Sequence, residues 1–130
     1  MKYLIMLCIV IGLALADWLI GFIKAYALGN IQSKVMRIGG VKKIAEILVM
    51  GVGIGIDIGI GALSIYYPEQ SWLGDVLGNI CAIVICGYIS IMEIVSILEN
   101  FAAIYPEANW AKVVAKRFSN IDESKDKEEK

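Results

Sequence analysis

Three long apolar runs constrain this chain more than any other feature. They cover residues 3–23, residues 44–66 and a stretch from about Leu73 to Leu98. Each is long enough for a helix to cross the hydrocarbon core of a bilayer, which takes roughly 20 mostly apolar residues. Inside lipid the backbone must satisfy its own hydrogen bonds, and a helix does so within one segment. The expected fold is therefore an all-α integral membrane protein with three transmembrane helices. Its membrane domain covers residues 1–118, and the spans fall at about 3–23, 44–66 and 73–98. The charged end, residues 119–130, carries too few apolar residues to pack and is expected to be a disordered tail. Composition supports this reading. The chain of 130 residues is 58% hydrophobic and 19% charged, too apolar for a small soluble domain with much surface to cover.

The first run imitates a secretory signal peptide, with Lys2 ahead of it and Ala14-Leu15-Ala16 in place of a cleavage site. The apolar pattern nevertheless continues through Trp18, Leu19, Ile20, Phe22 and Ile23, so an uncleaved span is expected. Orientation follows from the connecting segments. Lys24, Lys34, Arg37, Lys42 and Lys43 lie between the first two spans, with no acid between Asp17 and Glu46. The second connection, YYPEQSWLGD, carries Glu69 and Asp75 and no base. The positive-inside rule then places the basic loop and the C-terminus in the cytoplasm and the N-terminus outside. Tyr66, Tyr67 and Trp72 fit an aromatic belt at the outer interface. Pro68 is expected to turn the chain there, and Pro106 to end the third helix. Trp110–Phe118, WAKVVAKRF, reads as a short amphipathic helix on the inner surface. Its Trp110, Val113, Val114 and Phe118 would face lipid.

Several functions are excluded or disfavoured. A net charge of −1 and the lack of a basic stretch interleaved with aromatics argue against a nucleic-acid partner. The chain has no histidine, which removes histidine-based triads and histidine metal sites. Cys8, Cys81 and Cys86 show no CxxC spacing and read as small buried hydrophobes. No metal or cofactor is expected. There is no GxSxG, P-loop or HExxH pattern, so no enzyme is expected either.

The segment Gly51–Leu63 reads GVGIGIDIGIGAL. On a helix its alternating glycines divide into two ridges. Gly51, Gly55 and Gly59 form one, and Gly53, Asp57 and Gly61 form another on roughly the opposite side. Small residues every fourth position let helix backbones approach closely in a membrane. Two ridges imply two neighbours, one of them within the protomer and the other a second copy. Packing within one protomer on both sides is the plainer alternative.

Three acids, Asp17, Asp57 and Glu93, lie inside the apolar runs. A charge at mid-membrane costs about 2.5 kcal/mol on insertion scales and above 10 kcal/mol in other estimates. Asp57 has no base at its own depth, so it must be protonated, hydrogen-bonded or in contact with water. Asp17 shares a helical face with Gly21 and Lys24, whose ammonium can reach toward it. Glu93, Ser96 and Asn100 share a face of the third span, with Glu99 at its edge. The alternative for Asp17 and Glu93 is a position close enough to the inner interface to snorkel.

Two spaced patterns carry a resemblance. Asp17, Gly21, Lys24-Ala25, Gly29, Ser33, Gly39-Gly40 and Lys42-Lys43 read D-x3-G-x2-KA-x3-G-x3-S-x5-GG-x-KK. Glu93, Ser96-Ile97 and Glu99-Asn100 read E-x2-SI-x-EN, followed by Pro106. Over about residues 13–110 the chain resembles the phage-lysis and toxin-secretion holins of Gram-positive bacteria and their phages. That resemblance implies a homo-oligomer in the bacterial cytoplasmic membrane. It would open the membrane at a set time and release a cargo such as endolysin or toxin, without catalysis and without specific contact with the cargo. Two other readings remain open: a small proton-coupled transporter using Asp57 or Glu93 as proton carrier, and an antiholin or accessory subunit.

Overall fold

The computed structural model describes residues 1–63, 65–67 and 71–128. They form five helices: α1 (Lys2–Ala27), α2 (Ser33–Leu63), α3 (Ser71–Leu77), α4 (Ile80–Ile104) and α5 (Asn109–Glu128). No strand occurs among the described residues. α1, α2 and α4 are each long and apolar enough to cross a membrane, and the chain is a multi-pass membrane protein.

Local chemistry sets the helix ends. Gly29, at φ 64°, closes α1 in the left-handed region that glycine enters without a Cβ penalty. The Asn30 N–H donates to the Ala25 carbonyl at 2.9 Å and the Gly29 N–H to the Tyr26 carbonyl at 3.1 Å, the paired bonds of a Schellman cap. α4 stops at Ile104, just ahead of Pro106, as the sequence predicts. Pro68 lies outside the described residues.

Three boundaries differ from expectation. Lys34, Arg37, Lys42 and Lys43 are not in a loop, because α2 already begins at Ser33. They occupy its first turns, where polar residues with good helix propensity extend an apolar helix beyond lipid. The third apolar run is broken: α3 ends at Leu77 and α4 starts at Ile80, with Gly78 and Asn79 between. Finally, α5 continues past Phe118 to Glu128, into the stretch expected to be disordered. Residues 129–130 lie outside the described residues.

The chain forms two compact units. The first comprises Met1–Gly12 and Gly40–Ser90. Its core is Val10, Met50, Ala82, Cys86 and Ile89, with Tyr3, Met6, Leu7, Ile47, Ile54 and Ile85 packed around it. The second comprises Leu13–Gly39 and Ile91–Lys130. Among the described residues its buried apolar side chains are alanines: Ala14, Ala102, Ala111 and Ala115. Of the cysteines only Cys86 is buried; Cys81 is half-buried and Cys8 is exposed on α1. Burial on all sides was the wrong expectation for Cys8. An apolar side chain on a membrane helix can face lipid as readily as a core.

Gly78 lies in the tightest place of the first unit. A Cβ built there falls 2.5 Å from the Gly74 carbonyl oxygen, 3.1 Å from the Asp57 carbonyl oxygen and 3.2 Å from the Gly61 nitrogen. All three are backbone atoms, which cannot swing aside. Gly12, by contrast, has nothing within 4 Å of its would-be Cβ. Gly78→Ala is expected to destabilise by about 1–3 kcal/mol, and Gly12→Ala to be neutral or stabilising by up to about 1 kcal/mol. Thermal unfolding in detergent, followed by circular dichroism, checks both; equal behaviour of the two variants would refute the close-packing argument.

Candidate functional site

On the ridge Gly53–Asp57–Gly61, Gly53 and Asp57 face inward within the first unit, whereas Gly61 is half-buried and has nothing within 4 Å of its would-be Cβ. At Gly53 a Cβ would meet the Ile85 side chain at 2.6 Å and the Ala82 Cα at 3.6 Å. At Gly61 the backbone borders Gly78. Between them lies Asp57, 1% exposed. The helix α2 therefore runs against the start of α4 with no side chain larger than aspartate on that line. Glycine at Gly53 allows the approach, and the approach brings the Asp57 carboxylate to the end of α4.

The carboxylate has a definite role there. Its Oδ1 accepts the Cys81 N–H at 3.0 Å and its Oδ2 accepts the Ala82 N–H at 3.1 Å. These are donors of the first turn of α4, which have no partner within their own helix. An N-cap side chain from the preceding residue ordinarily fills this place. Here Asn79 holds that position, and its Oδ1 accepts from Lys2 Nζ. A neighbouring helix supplies two acceptors to the same helix start through Asp57. Bonds to an ionised acceptor are roughly twice as strong as neutral ones, and a carboxylate at a helix N-terminus gains up to about 2 kcal/mol from the helix dipole when partly buried. Of the three conditions that could permit Asp57 inside the membrane, hydrogen bonding is met. The interruption is further tied down by Tyr3, whose hydroxyl donates to the Gly78 carbonyl at 3.1 Å.

In the second unit, Asn100 joins two helices. Its Oδ1 accepts from Lys24 Nζ at 3.0 Å, and its Nδ2 donates to Asp17 Oδ1 at 3.2 Å. Lys24 thus reaches the amide rather than Asp17 directly. Gly21 makes room, since a Cβ on it would lie 3.7 Å from Asn100 Nδ2. Asp17 is 7% exposed and Glu93 only 1%, and both are engaged in further interactions. Snorkelling to water is therefore not how this protomer accommodates either acid. Ser96 is half-buried on α4, whereas Glu99 is exposed and edges a cleft against α5. The structure separates Glu99 from the Asp17–Asn100 pair.

The other glycine ridge is bare. Cβ atoms built on Gly51, Gly55 and Gly59 meet nothing within 4 Å, and all three residues are exposed. The basic residues are disposed separately. Lys34, Arg37 and Lys42 are exposed along α2, while Lys43 lies 3.6 Å from Glu46, one turn further on. No group of three or more acids and cysteines is placed to hold a metal ion among the described residues.

Gly78, Asn79, Lys2 and Tyr3 were not singled out as site residues from the sequence. The dipeptide Gly78-Asn79 inside an apolar run is a local breaker signal, and it was the available clue. What it breaks, and what repairs the break, depends on residues far away in the chain.

Residues 2–120 match the sequence model of the bacteriophage holin family. This chain belongs to that family. No match was found among curated proteins or among solved structures. For this holin-family protein the family match spans both units and every residue of the two spaced patterns. Its intramembrane acids therefore belong to the part of the chain that the family shares, and the charged end lies at or beyond the limit of the match.

The capping arrangement has a local readout. Asp57→Leu leaves two buried N–H groups without an acceptor, at about 1–3 kcal/mol each. Asp57→Asn keeps one acceptor and is expected to cost less. Amide hydrogen exchange in detergent should show faster exchange at Cys81 and Ala82 in the order Leu, Asn, wild type. Unchanged exchange at both amides in Asp57→Leu would rule out the cap.

Proposed function

We propose that this chain is a hole-forming holin: it accumulates in the bacterial cytoplasmic membrane, oligomerises through the bare ridge of α2, and opens the membrane at a set time. A cargo such as endolysin or toxin would then leave without catalysis and without specific contact. In this reading the N-terminus lies outside, and the Lys24–Lys43 region and C-terminus lie inside, following the distribution of bases.

The observation that carries the reading is the unequal use of the two glycine ridges. Gly53 and Asp57 are covered by α4 residues, whereas Gly51, Gly55 and Gly59 are exposed. Glycine lowers helix stability by about 1 kcal/mol relative to alanine. Three exposed glycines on one ridge give nothing back within a protomer, but they allow a second α2 backbone to come close. Flanking Val52, Ile56 and Ile58 are also exposed and would fill the grooves of such a contact. The proton-carrier alternative gains nothing from Asp57, whose two oxygens already accept backbone N–H groups.

The test is induced expression of the chain alone in bacteria, with membrane potential and release of a cytoplasmic enzyme followed together. Simultaneous sudden loss after a delay is the expected result. Loss of potential without enzyme release would restrict the hole to ions, and no effect on either would favour the antiholin reading. Gly55→Leu and Gly59→Leu are expected to remove higher crosslinked oligomers and to delay or abolish lysis, with the protomer's helix content intact. Unchanged crosslinking and timing in both would sink the ridge as the contact surface.

A further inference from the structure

Oligomerisation through α2 assigns no role to the outer face of α5. That helix is anchored on α4 by small residues: Ala111 and Ala115 are 0% and 4% exposed, and Ala102 of α4 is 6% exposed. Val114 is half-buried, and most of the remaining side chains of its first half are exposed. Trp110 is 60% exposed, Val113 56% and Phe118 43%. Lys112, Lys116 and Arg117 are exposed among them. No acid occurs between Glu107 and Asp122, so this half of α5 is basic while the half beyond Asn120 is mainly acidic.

The place of the helix is marked independently. Where α4 ends, the Phe101 ring lies 5.1 Å from that of Tyr105 and 6.1 Å from that of Trp110. A cluster of aromatic rings at the end of a membrane-spanning helix belongs at the headgroup level, where one edge can be apolar and another wet. α5 therefore starts at the bilayer surface. A Trp and a Val more than half exposed would be poorly placed in water, and three bases would be poorly placed in hydrocarbon. Both suit the boundary of an anionic leaflet. Beside them, Ala102, Ala103 and Ala115 floor a cleft between α4 and α5, edged by Lys112 and Lys116 and, from α4, by Glu99.

We propose that the outer face of α5 docks on anionic lipid headgroups, with Trp110 and Val113 at the headgroup–acyl boundary and Lys112, Lys116 and Arg117 against the phosphates. The surface acts as a lipid-composition contact of the protomer. It is independent of whether the chain opens a hole. Each base near an anionic surface contributes about a fivefold preference, so removing all three lowers the preference by on the order of a hundredfold.

The experiment uses the full chain reconstituted in vesicles of phosphatidylcholine alone, or with part of it replaced by phosphatidylglycerol. Trp18→Phe and Trp72→Phe leave Trp110 as the reporter, and lipids brominated near the headgroup end of the acyl chain act as quencher. Quenching is expected to increase with phosphatidylglycerol and to fall with added salt. Lys112→Gln/Lys116→Gln/Arg117→Gln should return it to the phosphatidylcholine value, and the charge-conserving exchange Lys112→Arg/Lys116→Arg/Arg117→Lys should retain it. Equal quenching in the two vesicle types, or an unaffected glutamine variant, overturns the proposal. If the tryptophan-reduced chain does not fold, hydrogen exchange at residues 110–118 of the unmodified chain decides. Greater protection in the anionic vesicles supports docking, and identical exchange overturns it.

Discussion

The N–H groups of a helix's first turn have no partner within that helix, and the packing of the first unit follows from how those of α4 are satisfied. Where they are covered by protein rather than water, another part of the chain must supply the acceptors. Asp57 supplies both acceptors for the start of α4. The same pairing explains how an acidic side chain can remain in an apolar stretch: both of its oxygens meet fixed donors at the positive end of a helix dipole. Neither partner would be stable alone, since an uncapped α4 and an unpaired Asp57 each carry a cost of some kcal/mol.

That interaction also sets the close spacing of the helices. For a short aspartate side chain to reach backbone N–H groups, α2 must run close against α4. Gly53 above it and the Gly61–Gly78 contact below it provide the clearance. The alternation of glycine and isoleucine in Gly51–Leu63 then has a physical sense. On a helix, positions two apart lie about 200° from each other, so a period of two yields opposite ridges. One ridge is consumed by the Asp57 cap, and the other is left exposed on α2.

The second unit handles polar groups differently. There Asn100 serves as both acceptor and donor, taking a bond from Lys24 and giving one to Asp17. An amide can do this because it carries both functions on one rigid group. Alanines rather than large apolar residues form its buried surface, so that helices approach closely and polar atoms of different helices come within bonding distance. This unit depends on hydrogen bonds and close backbone approach. The first combines a hydrophobic cluster of Val10, Met50 and Ile89 with its cap.

By itself, the sequence determined three membrane-length helices, the stop of α4 before Pro106, and the two-ridge geometry of residues 51–61, because these follow from hydropathy, local backbone chemistry and helical periodicity. It also marked Asp57 as a residue that had to be protonated, hydrogen-bonded or in contact with water. Other features depended on distant residues. Hydropathy averaged across Leu73–Leu98 hides the Gly78-Asn79 break, and the bond from Lys2 to Asn79 joins residues far apart in the chain. Likewise Lys24 and Asp17 share a helical face, but only α4 brings the amide that joins them. Which glycine ridge is covered, which helix end Asp57 caps and which acid stands apart at the α5 cleft were decided by tertiary structure alone, because each is a contact between helices and periodicity specifies only the faces of one.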